Sequence, residues 1–170
     1  RKMTADQTID RAQLAPLLGQ DAAGQRFERC VFDEADLRGL DLRGTAFVDC
    51  HFVRTTLDRA QLGDTVWQGC RCGGASFELA DLADARFTHC DLNNSNWARA
   101  KLAGASFDEV RLTGAGFTEA RTLGLTLKSS LLVSADLRGL SFRRQRLERL
   151  KLSAADLSGC DFREAVLVDC

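Results

Sequence analysis

The sequence predicts an all-β solenoid, a chain wound into a coil whose sides are each five residues long. Three observations predict it. From Phe27 to Leu167 every fifth residue is large and apolar, apart from Cys72 and Thr122, and this series takes all ten phenylalanines and both tryptophans. The residue two places earlier is mostly small, as at Cys30, Ala35, Thr45 and Ala60, and neither position is ever charged although 28% of the chain is. A period of five fits neither the 3.6 of a helix nor the 2 of an ordinary strand, whereas a coil that turns a corner every fifth residue has it.

The elements follow in chain order. Residues 1–24 lie outside the register and read as an N-terminal cap. In Thr4–Leu18, Thr4 and Gln7 suggest a capping box, and Ile9, Leu14, Leu17 and Leu18 supply an apolar side, so a short helix limited by Pro16 and Gly19 is expected over the first coil. The alternative is two degenerate repeats, Ala15–Gly19 and Gln20–Gly24, with Leu17 and Ala22 in register.

From residue 25 to 170 the chain reads as five-residue units such as Ala35-Asp36-Leu37-Arg38-Gly39. The first slot holds a small filler, the third a large plug, and the other three face solvent. Glycine recurs in the fifth slot, for example at Gly39, Gly104 and Gly139, where a tight corner calls for positive φ. Sorting the plugs by twenty residues aligns Phe27, Phe47, Trp67, Phe87 and Phe107 on one side, followed by Leu127, Leu147 and Leu167. That alignment implies four units per turn and about seven turns, a rod of roughly 34 Å at about 4.8 Å per turn.

One segment is irregular. Arg121-Thr122-Leu123-Gly124-Leu125 puts threonine in the plug slot and leaves Leu123 outside, which suggests a bulge or shifted corner that returns an apolar side chain to the core. Around it Leu125, Leu140 and Leu150 enlarge the filler slot, so the cross-section is expected to widen.

The seven cysteines do not read as a disulfide framework. Cys30, Cys50, Cys70, Cys90, Cys160 and Cys170 take the filler slot and Cys72 a plug slot, where cysteine acts as a small hydrophobe. Parallel side chains on neighbouring coils keep their Cβ atoms too far apart for a bridge. Reduced core thiols are therefore expected, with zinc at Cys70 and Cys72 disfavoured because Cys72 points into a narrow core.

Composition argues against several function classes. A net charge of −1 and a pI near 6.2 provide no global basic field for direct nucleic-acid binding. No apolar run reaches the roughly 20 residues of a membrane span, and a cytoplasmic location is expected. His51 and His89 have no nucleophile set beside them by the repeat, so no catalytic residues, cofactor site or metal site emerge and the protein is not expected to be an enzyme. Asp36, Asp41, Asp81, Asp91, Asp136, Asp156 and Asp161 share one outward slot, which marks a repeat preference rather than a catalytic pair. Arg138, Arg143, Arg144, Arg146, Arg149 and Lys151 form a basic band, the candidate surface for a protein partner; the alternative is an ordinary solvated surface.

The units Ala35-Asp36-Leu37-Arg38-Gly39, Ala80-Asp81-Leu82, Ala135-Asp136-Leu137-Arg138-Gly139 and Ala155-Asp156-Leu157-Ser158-Gly159 resemble the A-(D/N)-L-x-x pattern of the pentapeptide repeat family over residues 25–170. The resemblance implies a right-handed quadrilateral β-helix with four repeats per coil. The stretch from Leu125-Thr126-Leu127 to Gly139-Leu140 is similar to quinolone-resistance members of the Qnr and mycobacterial type. That likeness implies DNA gyrase or topoisomerase IV as the partner, bound by a rod that mimics duplex DNA. The other expectation is a structural or accessory domain of a larger protein, for example one linked to secretion. With Leu167, Val166 and Val168 beside an unpaired strand edge, a homodimer through the C-terminal coil is also expected, with covalent continuation of the chain as the alternative.

Overall fold

The computed structural model describes residues 2–18 and 24–170. Its nine short strands form one parallel sheet in strict sequence order: β1 (Met3–Ala5), β2 (Arg26–Glu28), β3 (Ala46–Val48), β4 (Val66–Gln68), β5 (Arg86–Thr88), β6 (Ser106–Asp108), β7 (Thr126–Leu131), β8 (Arg146–Lys151) and β9 (Val166–Val168). From β2 on, neighbours pair twenty residues apart, as in Phe27↔Phe47 and Phe87↔Phe107. The strands make the first side of each turn. Single bridges such as His51↔Arg71, Asp36↔Thr56 and Asp41↔Gln61 tie the second, third and fourth sides. The architecture is the right-handed quadrilateral β-helix expected from the sequence.

The slots fall where the period puts them. The plugs Phe27, Leu42, Trp67, Cys72, Phe87 and Trp97 are all fully buried, and so are the fillers Cys30, Ala60 and Ala75. From Gly24 to Asp169 every fifth residue has positive φ, and most of these residues are not glycine: Leu79 sits at 59° and Arg99 at 56°. The corner therefore imposes the left-handed conformation, and glycine only relieves it.

The rings do more than form one ladder. On the first side Trp67 stacks on Phe87 at 5.1 Å and Phe87 on Phe107 at 5.1 Å. A second stack, Phe77–Trp97–Phe117, rises on the third side, with centroids 4.2 and 5.8 Å apart. The two meet edge to face, as Trp97 does with Phe107 at 5.2 Å and 90°. Offset stacks and edge contacts are both favoured by the ring quadrupole, so the N-terminal two thirds of the core is a herringbone. Beyond Phe117 leucines take over, and a void of about 10 Å³ opens among Leu127, Leu137, Phe142, Leu147 and Leu157. The large fillers Leu125, Leu140 and Leu150 are buried around it.

The N-terminal segment departs from the expected helix start. Thr4 lies in β1, opposite Phe27, and Ile9 is buried as a plug whose amide donates to the Val31 carbonyl at 2.8 Å. Two sides of a first coil are thus built before the helix begins. Thr4 and Ile9 precede Phe27 and Phe32 by twenty-three residues instead of twenty, so they fall outside the five-residue register. Helix α1 (Arg11–Leu18) follows and buries Leu14 and Leu18. Its capping box is Asp10 with Gln13, not Thr4 with Gln7: Asp10 Oδ1 accepts from the Gln13 amide and Gln13 Oε1 from the Asp10 amide, both at 2.9 Å. The alternative of two degenerate repeats is excluded at Ala15–Leu18, which is helical; Gly19 and the stretch 20–23 lie outside the described residues.

The irregular segment also differs from expectation. No bulge restores an apolar plug. Thr122 keeps the slot, 5% exposed, and Leu123 stands 85% exposed.

Candidate partner-binding surface

The recurrent aspartate is explained by the corner it precedes. Asp36 Oδ1 accepts from the Arg38 amide at 3.2 Å, and the same step recurs at Asp41, Asp81, Asp91, Asp136, Asp156 and Asp161. The carboxylate thus serves an amide that leaves the coil ladder at the turn. Where arginine follows two residues later the pair becomes bidentate, as in Asp36–Arg38 and Asp161–Arg163, both 2.7 Å at the closer contact. The arginine side chain, helped by the backbone amide, holds each of these two carboxyls down to about 2.

The thiols are structural in their bonding. Cys50, Cys70 and Cys90 point Sγ at the carbonyls of Phe27, Phe47 and Trp67, at 3.3, 3.4 and 3.4 Å. Burial pushes the Cys72 thiol well above its ordinary value. Among the described residues no group of three or more His, Cys, Asp or Glu side chains could hold a metal ion. His89 meets Glu109 on the outer surface, while His51 lies two coils away on the second side. No helix among the described residues is long and apolar enough to cross a membrane.

The basic band is wound around the rod. Arg138 lies on the third side, Arg143 and Arg144 on the fourth, Arg146 and Arg149 on the first, and Lys151 on the second. Much of its charge is matched locally: Arg138 pairs with Asp136 and Asp156, Arg144 with Glu164, and Arg146 and Arg149 with Glu148. Among the described residues Arg143 and Lys151 enter no ion pair. Adjacent in space, and missed in the sequence, is Arg121, also without an ion pair; it lines one groove with Arg143 and Arg144.

This groove exists because the coil wall parts. Elsewhere on the fourth side the ladder is regular: Leu102 and Gly104 donate to the carbonyls of Arg121 and Leu123, and Phe142 and Arg144 to those of Asp161 and Arg163, all at 2.8–3.0 Å. Between these rungs, repeat symmetry calls for Glu119, Thr122 and Gly124 to donate to Arg138, Ser141 and Arg143, and for Ser141 and Arg146 to donate to Ala120 and Leu125. None of the five bonds is made, and no other such interval occurs among the described residues. Pairing lapses after Gly116↔Asp136 and resumes at Lys128↔Glu148. A Cβ built on Gly159 would meet Gly139 Cα at 3.8 Å, whereas one built on Gly139 meets nothing within 4 Å.

Two side chains hold the seam. Thr122 Oγ1 donates to the Ser141 carbonyl at 2.9 Å, and Gln145 Nε2 donates to the Thr122 carbonyl at 3.0 Å. Each departs from the repeat, a hydroxyl in a plug slot and a long amide in a filler slot. Gln145 Oε1 is buried with no hydrogen-bond partner. The groove measures about 630 Å³ and continues around the corner into a second of about 400 Å³ lined by Gly124, Gln145 and Arg146.

The pentapeptide repeat region profile matches residues 24–97 and 46–117, and pentapeptide repeats in eight copies match 130–169. The chain belongs to the pentapeptide repeat family. The interval between the two matched stretches contains Thr122 and Leu123, on one lip of the seam. No curated protein matches the sequence. Among solved structures, a trypsin-treated variant of QnrB1, described as a plasmid-mediated fluoroquinolone resistance protein, is similar with a TM-score of 0.56 at 23% identity, covering 98% of this chain and 89% of that one. HetL, a pentapeptide repeat protein involved in heterocyst differentiation regulation from the cyanobacterium Nostoc sp. strain PCC 7120, has a TM-score of 0.51 at 19% identity, covering 96% of this chain and 84% of that one. At these identities the likeness is one of fold.

Proposed function

We propose that this protein is a non-enzymatic binding protein that engages a macromolecular partner along the outside of its rod, with DNA gyrase or topoisomerase IV as the partner. The observation that carries the reading is the filled interior. Plugs and fillers occupy the coil, the void among its C-terminal leucines measures about 10 Å³, and recognition falls to the outward slots. The choice of topoisomerase is supported by the likeness to QnrB1 and by the A-(D/N)-L-x-x units shared with quinolone-resistance members of the family. Supercoiling by purified gyrase, with and without this protein and a fluoroquinolone, tests it. Relief of drug inhibition is expected; unchanged supercoiling and unchanged drug sensitivity at micromolar protein would overturn it.

A second reading, a structural or accessory pentapeptide-repeat domain with a different partner, is favoured by the comparable likeness to HetL, whose described role is regulatory. Self-association through the C-terminal coil belongs to either reading. It is supported by Val166 and Leu167, each 49% exposed in β9, which pairs on one side with β8. Sedimentation at tens of micromolar separates dimer from monomer.

A further inference from the structure

We propose that the parted seam between residues 119–126 and 138–146 is a docking groove for an extended acidic peptide of a protein partner. The reading does not depend on that partner being a topoisomerase.

Three features of the seam point to this occupant. First, the lips are two coil edges, each turning a corner, whose main chain has lost its coil-to-coil bonds. The amides of Thr122 and Gly124 and the carbonyls of Ala120 and Leu125 lack the coil-to-coil partners that their equivalents have one turn away. Such edges are what an added strand pairs with, and an extended main chain carries alternating donors and acceptors to match. Secondly, Gln145 lines the groove and bonds the Thr122 carbonyl through Nε2, while its Oε1 is a buried acceptor without a donor. A buried acceptor left unpaired is costly, and a peptide N–H would satisfy it. Thirdly, the groove between Arg121 and Arg143 is lined by three arginines and no carboxylate. Arg121 and Arg143 enter no ion pair among the described residues, and both line the groove. Carboxylates of the ligand would complete them as charge-assisted hydrogen bonds. Leu123, 85% exposed beside them, offers an apolar contact between the two charges. Donors, acceptors, positive charge and an apolar step in one groove describe a peptide with acidic and apolar side chains in alternation.

The test uses a fluorescein-labelled peptide of alternating glutamate and valine, read by anisotropy, against the same peptide with lysine in place of glutamate. The acidic peptide is expected to bind and the basic one not to. Arg121→Glu with Arg143→Glu, both at outward positions, should weaken binding about tenfold or more through like-charge opposition. Thr122→Leu with Gln145→Ala restores the repeat's own plug and filler; it should slow amide exchange across 119–126 as the ladder closes and abolish binding. Absence of binding by the unaltered protein, or equal binding by the charge-reversed one, would overturn the proposal. So would displacement of the peptide by a short duplex DNA at lower concentration than by unlabelled peptide, which would make the seam a phosphate site. The charge-reversal arm decides on its own if the Thr122→Leu, Gln145→Ala protein keeps its exchange pattern.

Discussion

Trp97 donates its indole N–H to Ser95 Oγ at 2.7 Å, and the same hydroxyl donates to the Leu92 carbonyl at 2.6 Å. Trp67 does the same through Thr65 to Leu62, at 2.8 and 2.7 Å. Both tryptophans are fully buried, and in each case a hydroxyl two residues upstream takes the indole proton inside a hydrocarbon core. A tryptophan plug therefore comes with a serine or threonine filler. Phe47 also follows a buried threonine, but its phenyl ring offers no proton and Thr45 Oγ1 has no partner, whereas Thr55 Oγ1 donates to the Phe32 carbonyl at 2.7 Å.

The pairing makes a sharp stability prediction. Ser95→Ala and Thr65→Ala each orphan an indole N–H and should cost about 1–3 kcal/mol. Thr45→Ala removes an unsatisfied hydroxyl and should leave stability unchanged or raise it. Adding Trp97→Phe to Ser95→Ala should recover most of the hydroxyl's share, which urea denaturation of the four-protein cycle measures. Equal losses at Ser95 and Thr45 would show that the hydroxyls act only by filling space.

The plug slots should tolerate no charge. Phe87 lies fully buried between Trp67 and Phe107, with Phe77 and Trp97 at its edges. Phe87→Asp places an unpaired carboxylate there and should cost several kcal/mol, comparable to the stability of a whole domain. The neighbouring Arg86→Asp, on the outer face, should change stability by roughly 0.5 kcal/mol or less. Thermal melts that show similar losses for both would contradict the slot assignment.

The period made the coil legible because each plug repeats at a fixed interval, and Phe27 through Leu167 needed no tertiary information to place. Two things were not legible, for different reasons. The first coil was hidden because three extra residues ahead of Phe27 shift Thr4 and Ile9 out of register. The seam was visible only as a misplaced Thr122; Gln145, just over a turn later, fits the filler slot by position and betrays itself only by size. Which charges stay unmatched depends on neighbours twenty residues away. Arg144 meets Glu164 and Arg99 meets Glu119, yet Arg121 finds no carboxylate among the described residues. The basic band, contiguous in sequence, was for the same reason a poor guide to a contiguous surface.

Acid should loosen the corners. The carboxyls of Asp36 and Asp161 fall from the ordinary 3.8 to about 2 because Arg38 and Arg163 bond their charged forms. A lowered folded-state pKa means stability that is fully present above the unfolded value and lost as pH falls through the folded one. The window is therefore from about pH 4 down to about 2. The double variant Asp36→Asn, Asp161→Asn keeps an oxygen for each backbone amide but has no charge to lose. The difference in melting temperature between it and the unaltered protein should shrink steadily across that window and be flat above it. A difference independent of pH would assign the aspartates' contribution to the amide bonds alone.

Backbone exchange should expose the seam directly. Amide protection follows local opening, and an amide without a coil-to-coil acceptor has no ladder bond to break. Gly124, Ser141 and Arg146 lack the acceptors that their counterparts one coil earlier possess: Gly104 donates to Leu123 at 3.0 Å, Arg121 to Ala100 at 2.9 Å and Thr126 to Ala105 at 2.9 Å. Each comparison holds slot and side constant, so intrinsic corner geometry cancels. Hydrogen exchange followed by NMR should show all three seam amides exchanging at least about tenfold faster than their counterparts, while Gly114 and Gly139, whose ladder bonds to Val133 and Ser158 are intact at 2.9 and 2.8 Å, stay protected. Uniform protection along the rod would mean that the wall is closed in solution, and the groove lined by Arg121 and Arg143 would close with it.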